Sequence, residues 1–565
     1  MSTFGNILSV ARTAISAQQA AMQVISHNIA NAQTDGYSRQ RVEMQPNYPL
    51  VLPFGSLGTG VSISDVTRGR DALLDGSFRR DTAATEGYGM QHDLLGEIES
   101  ILHEPSDGAL ASSLDAFWNA WSDLSNNPGN PVQQNVVRQR GSQLAYMFNN
   151  YTTRLNELVS RTRDRLTQAV GEVNSLASRI ATLNGEINAA ESRGNQAPDL
   201  RDARDKLADE MAKLGVSRAE PQADGTLSIY IGGMAIVSGN QAQTVEIRGG
   251  STVALAIVGD ADTLQNVSGP LGSMVDFINT DAAGVQSRLD DLARGLVNGV
   301  NEYHAAGWTA AGDALGNANW NPANGPTGSR VNFFDAASLT AGTIRLSDEV
   351  LADASVIASG DVQNSPGLNN IAIAIGTLRD DTGMDALRTR MGANFATQIG
   401  FAAGTTYADH YQQTVSDLGV QVADADRQHT VFDTLATQSD HRRTAVSGVS
   451  IDEELTRLMQ YQQVRGRHTR RDGGRSDDAV ADLDGVAHAD SQPPTWRRNR
   501  DRGRIRVVVL ACDRRGVRLG IEAPSHVSIV REEIVAQIAA ENRRAGAPSH
   551  APDWLGVAKR DVDRA

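Results

Sequence analysis

LSVARTAISAQQAAMQVISHNIANAQTDGYSRQ, residues 8–40, is the stretch on which the fold turns. Its apolar positions Leu8, Ala11, Ile15, Met22, Ile25 and Ile29 step by three and four if Gln18 fills the one gap, which is the seam of a coiled-coil helix. The small residues Ala14, Ala17, Ala20 and Ala21 lie around that seam and allow another helix to approach closely. An ordinary core helix has the same period, so the spacing alone leaves open what covers the stripe. Beyond Ile29, the residues Asn31, Thr34, Asp35 and Gly36 end the helix and turn the chain, because Gly36 tolerates positive φ and short polar side chains cap freed backbone groups. His27 could be read as a metal ligand or a base, but no second His or Cys stands at ligand spacing, and a polar capping role is expected of it.

Working outward, the 565 residues suffice for several domains, and with only 5% aromatic residues burial rests on aliphatic side chains and alanine. Up to Gln463 the net charge is −20, and from Val464 onward it is +5. An acidic body excludes a general nucleic-acid binder, which needs a basic face. The single cysteine, Cys512, lies in the basic part, so the body has neither disulfide nor thiol chemistry. The N-terminus lacks the basic region, apolar core and cleavage site of a signal peptide. No stretch approaches the roughly 18 apolar residues of a membrane helix, and no membrane insertion is expected.

Leu114, Phe117, Trp118, Trp121 and Leu124 recur at helical spacing and are expected to pack in a core rather than stack on a cofactor. A long helix is predicted from Leu155 to Ile187, ended by a turn at Gly194 to Pro198. Asp199-Leu200-Arg201-Asp202-Ala203-Arg204-Asp205 reads as a salt-bridged helix start rather than a metal or acid–base site. After Val216 short strands are predicted at Leu227 to Ile231, Ala235 to Val237, Val245 to Ile247 and Val253 to Val258, with Gly232-Gly233 as a tight turn. A helix follows from about Val285 to Val300, then a loop from Gly307 to Asn332, and helix again from Tyr407 to about Arg443. The predicted class is mainly α with α/β insertions: terminal coiled-coil helices, a long helical bundle, and outward mixed β-rich domains. The expected segments are 1–85, 86–215, 216–403, 404–447 and 448–463, then 464–504 and 505–565.

Ser450 three residues before Glu453 reads as a capping box, and Ile451, Leu455, Leu458 and Gln462 step by four, three and four. A second seam helix thus begins at the opposite end of the body. Each terminal helix is too short of burial alone and gains it against its partner or neighbouring copies.

Four blocks carry a resemblance: Asn28 to Gln40, with Asn31, Gly36, Tyr37, Ser38 and Arg39; Gly58 to Leu74; Asp199 to Asp205; and Gly448 to Gln463. Together they resemble the hook-associated protein 1 family of bacterial flagella over about residues 1–463. The resemblance implies that the termini pair as an inner domain of a tubular assembly that joins hook to filament. It implies an exported, extracellular, non-enzymatic structural protein without cofactor or metal. The implied partners are copies of itself, the hook protein, a second hook-associated junction protein and a flagellar export chaperone. The assembly residues are expected to be Leu8, Ala11, Ile15, Met22, Ile25, Ile29, Ile451, Leu455 and Leu458, with Ile15, Met22 and Ile25 covered only on assembly.

From Val464 the run VRGRHTRRDGGRSDDAVADLDG loses the apolar period, and the helix is expected to stop there. Back-translated with free third bases and read one base further on, it permits YAAATRVVTAVDRMMQSLISM, an amphipathic continuation similar to the family's ending. The same frame permits a stop at Val486 and MLILSRRPGDETVIGD from His488. Residues 505–545 resemble the carbon storage regulator family, in which the place of Arg531 implies a contact to RNA. The strand that would pair with it is absent from this frame, so RNA is not an expected partner and the tail reads as a reading-frame join. Two other classes stand beside the structural one. An RNA-binding regulator acting through the tail would shift a GGA-containing hairpin RNA. A wall hydrolase would need a paired-carboxylate or Cys/His site that the sequence does not offer.

Overall fold

The computed structural model describes residues 3–472, save for 53–54, 193–195, 251, 309–319, 322–324, 327–330, 363–364, 366, 380–386, 388, 390, 393–397 and 400–404, together with 506–513 and 516–522. Helix α1 (Thr3–Ala30) ends where its sequence turns polar: the Asn31 N–H donates to the His27 carbonyl at 3.0 Å, and Gly36 takes a φ of +82°. His27 caps nothing with its ring, which lies edge-on to Tyr37 and 3.5 Å from Asp199. Strands β1 (Gln40–Pro46) and β4 (Val61–Arg68) pair antiparallel, and between them β2 (Leu50–Leu52) pairs with β3 (Gly55–Leu57) toward the tip of the same hairpin.

Four helices follow. Helix α2 (Ala72–Leu102) is capped by Asp71, whose side chain accepts from the Leu73 N–H, and it crosses the boundary expected at residue 85. Helix α3 (Leu110–Asn126) carries the two Trp. Helix α4 (Pro131–Glu191) starts far ahead of the predicted Leu155: Asn130 caps it and Pro131 occupies its first turn. Helix α5 (Pro198–Lys213) holds the Asp/Arg block.

The strands come next: β5 (Arg218–Pro221), β6 (Leu227–Ile231), β7 (Met234–Ser238) and β8 (Gln241–Ala242) form a four-stranded meander, and β9 (Val245–Arg248) pairs with β10 (Ala254–Ile257). Gly232 and Gly233, at φ +53° and +83°, make the tight β6–β7 turn that the sequence announces. Helices α6 (Gly269–Asp276) and α7 (Ala282–His304) are joined by one π-turn. Short α8 (Asp348–Ala352) and α9 (Asn370–Thr377) precede α10 (Tyr407–Ser447), which has a complete Thr406/Asp409 capping box. Most of the loop predicted from Gly307 to Asn332 lies outside the described residues.

Helix α11 (Ile451–Asp472) runs through the break predicted at Val464. The arginines of the run after Gln463 are good helix formers, and the helix continues through it despite Gly466, His468 and Thr469, which are poor ones. The Ser450 box is half made. Ser450 Oγ accepts the Glu453 N–H at 3.5 Å, while the Glu453 carboxylate turns to Arg39 instead.

One apolar cluster runs from Leu94 on α2 through the inner face of α4 (Val137, Leu144, Phe148, Leu155, Leu166, Val173, Ile180), the meander, α7 and Leu418 on α10, crossing the boundaries expected near 215 and 403. At roughly 1.5–3 kcal/mol per buried large side chain, this face anchors α4 in the body. Phe117, Trp118 and Trp121 meet Phe333, Phe334 and Tyr407 in its aromatic centre, with Phe333 and Phe334 4.9 Å apart and Trp118 5.5 Å from Tyr407. The Trp residues pack there as core. Buried His304 adjoins them: its Nδ1–H donates to the Val331 carbonyl at 2.9 Å, and its Nε2 accepts the Ala358 N–H at 3.1 Å. Burial lowers its pKa to about 4.

The chain divides into two compact units, Met1–Arg475 and Ser476–Ala565. In the second, Arg506–Asp513 and Gly516–Glu522 form an antiparallel pair. Among the described residues no helix is long and apolar enough to cross a membrane.

Candidate assembly site

The last turn of α1 is held by one side chain. Asn28, 1% exposed, donates from Nδ2 to the Gln40 carbonyl at 3.0 Å and to Glu454 Oε2 at 3.1 Å. Its Oδ1 accepts from the Tyr37 hydroxyl at 2.8 Å and from the Gln40 N–H at 3.0 Å. Both donors and the acceptor are thus used, and α1, the turn, β1 and α11 are joined through a single amide. Burial, with Asp199 next in weight, raises the Tyr37 hydroxyl pKa well above the ordinary phenol range, so it stays a donor.

Arg39 completes the hold on α11. Its Nε donates to Glu454 Oε1 at 2.8 Å, its Nη2 to Glu453 Oε2 at 2.9 Å, and its backbone N–H to the Ser447 carbonyl at 2.9 Å. Burial opposes the charge on Arg39, but the two glutamates outweigh it and raise its pKa. Glu454 is only 1% exposed, although it lies one turn into an otherwise open helix. A buried carboxylate of this kind is tolerable because guanidinium and amide donors fill its lone pairs.

The other half of the knot stands on α5. Asp202 accepts from the Ser38 N–H at 2.9 Å, the Ser38 hydroxyl at 2.7 Å and Arg68 Nη1 at 2.6 Å. Asp205 accepts from Arg68 at 2.9 Å and Arg70 at 3.1 Å and has Arg204 beside it at 3.2 Å. Asp209 accepts from Arg79 on α2 and Arg443 on α10, both at 2.6 Å, and Arg443 lies over the Phe78 ring. Asp202, Asp205 and Asp209 are spaced three and four apart, so α5 presents one acidic face to arginines from four places in the chain. Burial alone would raise the Asp205 carboxyl, but Arg68, Arg204, Arg70 and Arg79 hold it well below the usual range. Burial wins at Asp75, which is raised despite Arg70. The interleaved arginines of α5 therefore do not pair mainly within their own helix turn: Arg201 reaches back to Glu191 on α4 at 2.6 Å, and Arg204 donates to the Gly225 carbonyl at 2.8 Å.

The four sequence blocks converge here. Gln40 Nε2 adds a bond to Asp199 at 2.7 Å, Asn31 Nδ2 donates to the His27 carbonyl at 3.1 Å, and a Cβ on Gly36 would stand 3.2 Å from the Lys206 side chain. The apolar stripe behaves differently. The inward face of α1 is Ala17, Ala21, Ile25 and Asn28, so Ile25 is already covered within one chain, Ala11, Met22 and Ile29 are half-buried, and Leu8 (66%) and Ile15 (38%) face outward. On α11, Ile451 and Leu455 are exposed and Leu458 half-buried, with Glu454 between them turned inward. Arg531 lies outside the described residues. Arg68, Arg70, Arg79, Asp209, Arg443 and the inward turn of Glu454 escape sequence reading. The spacing of the three aspartates was the available signal.

Among the described residues no group of three His, Cys, Asp or Glu is placed to hold a metal ion. The one hydroxyl set against a carboxylate, Ser38 on Asp202, meets an acceptor already taken up by the Ser38 N–H and Arg68. What it does is mechanical: it fixes both chain ends of the body to α2, α5 and α10. Beside it lies a cavity of about 530 Å³ lined by Gly36, Tyr37, Lys206, Arg443 and Ser447.

Comparison with known proteins bears on this arrangement. Residues 95–318 match the model of the flagellar hook-associated protein FlgK helical domain, and residues 8–37 that of the flagella basal body rod protein. The chain is 28% identical over 501 residues to flagellar hook-associated protein 1 of Bacillus subtilis, covering 80% of this chain and 93% of that protein. Its fold is similar to the flagellar hook junction protein FlgK of Burkholderia pseudomallei, at a TM-score of 0.52 and 13% identity over 66% of this chain and all of that one. Residues 502–540 match a separate model, the global regulator protein family, and a 57-residue stretch is 42% identical to translational regulator CsrA of Thermotoga petrophila, covering 10% of this chain and 68% of that protein.

Proposed function

We infer the role from the premise that the chain, over the part preceding its tail, belongs to the flagellar hook-associated protein 1 family. It is a structural component of the bacterial flagellum that joins hook to filament, self-assembling through its paired terminal helices. The observation that carries this reading is the knot. Asn28 and Arg39 bind the first turn of α11 to the last turn of α1, so the two distant ends of the body leave it as one paired element. Leu8, Ile15, Ile451 and Leu455 remain open on that element for neighbouring copies.

On this reading the protein is exported through the flagellar apparatus and forms a ring or short helical layer between hook and filament. Its partners are copies of itself, the hook protein, the second junction protein and, before export, a chaperone. On this reading it is no enzyme, as its relatives are structural flagellar proteins. Immunogold labelling with antibody to the body tests the placement. Gold confined to the hook–filament boundary is expected; gold along the filament, or only on cell bodies, would defeat it.

The tail reads separately. Two families meet in one chain, and the second is represented only by part of its length. This favours a reading-frame join after Gln463 over an RNA-binding function of the whole.

A further inference from the structure

The β1–β4 hairpin carries an apolar tip that none of the described residues covers. Residues 47–59 contain no charged residue, although 21% of the chain is charged. Tyr48 is 97% and Val51 80% exposed, and Leu50 and Leu57 are also exposed. A pair of three-residue strands has no core of its own, so such a tip pays for its exposure unless something covers it.

The tip is nevertheless built to be presented. The Asn47 N–H donates to the Gly60 carbonyl at 2.9 Å, and the Thr59 hydroxyl donates to the Tyr48 carbonyl at 2.6 Å. Gly60, at φ +110°, presses so closely on α1 that a Cβ there would stand 2.2 Å from Thr13 Oγ1. The hairpin is thereby pinned to the terminal helix whose Leu8 and Ile15 face outward.

A second uncovered apolar surface lies on α10. Val420, Val431, Leu435 and Val446 are exposed, and their spacing of eleven, four and eleven places them on one side of the helix. In sequence the stripe is followed, past Gly448, by the exposed Ile451 and Leu455 of α11, the residues assigned to assembly. Tip and stripe are unlike surfaces. An unlike pair between identical chains is heterologous, and its repetition closes a ring or extends a helical layer, whereas a like pair gives only dimers.

We propose that the hairpin tip of one copy docks on the α10 stripe of a second copy of this chain. The proposal rests on the reading that the chain self-assembles in the flagellum. Disulfide trapping tests it, because the body has no cysteine and Cys512 can be removed as Cys512→Ser. Val51→Cys is combined with Val431→Cys or Leu435→Cys, all at exposed positions, and flagella isolated from the expressing strain are oxidised. A ladder at multiples of the chain mass, seen with the paired variants and with neither single one, is expected. Dimers from Val51→Cys alone would reveal a tip-to-tip contact and overturn the proposal. So would adducts with a chain of another mass, crosslinks confined to the monomer, or no crosslink in protein that immunogold places at the junction. Absence of the protein from the junction would instead bring down the assembly reading, and this is read from the gold rather than from the gel.

Discussion

Replacing Glu454 by Gln keeps the shape of the knot and removes one charge. In the native chain that carboxylate takes Arg39 Nε at 2.8 Å and Asn28 Nδ2 at 3.1 Å and is 1% exposed. The variant amide keeps one carbonyl oxygen and so accepts from only one of the two donors, its N–H₂ facing the other, and the charge of the Arg39 guanidinium is then balanced only by Glu453, whose side chain is 59% exposed. Breaking a buried pair from one side costs about 3–5 kcal/mol, and the surviving partner places this case near the lower end. The loss should be local. With Ile451 and Leu455 exposed, α11 has little else to hold it, so about 3 kcal/mol raises its opening equilibrium on the order of a hundredfold. Hydrogen exchange of the isolated protein reads this directly. Amides of residues 455–462 and of the last turns of α1 should lose protection together, while those of α4 and α7 keep theirs and the main melting transition stays put. Unchanged protection in α11, or loss spread evenly through the body, would refute the reasoning.

Further outcomes follow from the same geometry. His304 is buried neutral with a pKa of about 4 against the ordinary 6.5, so the unfolded chain binds its proton first as pH falls. Its contribution is complete above about pH 6.5 and is lost down to about pH 4, roughly 3 kcal/mol in all, so urea midpoints should drop over that window less steeply in His304→Gln than in the parent. Ile25→Asp should spare the melting of the body yet release α1 and abolish incorporation, whereas Leu8→Asp should leave the free chain unchanged and fail only on assembly; flagellar fractions blotted for the protein decide both. Mass spectrometry of purified flagella should find a peptide ending in MMQSLISM from the shifted frame, and tryptic peptides from Ile505 to Arg531 covalently continuous with the body would show a true fusion instead.

Much of this fold is written locally. The period of α1, the polar turn at Gly36 and the Gly232-Gly233 hairpin are each decided by a few adjacent residues, and the structure has them where the sequence puts them. The early start of α4 is also legible: Asn130-Pro131 is a cap signal, and Val137, Leu144, Phe148 and Leu155 keep step. Starting that helix at Leu155 weights its polar first turns too heavily against their period. The knot is different. Asp202, Asp205 and Asp209 share a face in sequence, but Arg68, Arg79 and Arg443 reach that face only through the packing of α2, α5 and α10. The seam is half legible for a related reason. Its spacing shows a stripe without showing which edge the same chain covers, and here Ala17, Ala21 and Ile25 turn inward and leave Leu8 and Ile15 outside.

The central claim is that this chain joins hook to filament, and deleting its gene tests that most directly. Cells without it should build complete hooks, carry no filaments and release flagellin into the medium, and the intact gene supplied in trans should restore filaments. Filaments of normal length on hooks of the deletion strain would contradict the account.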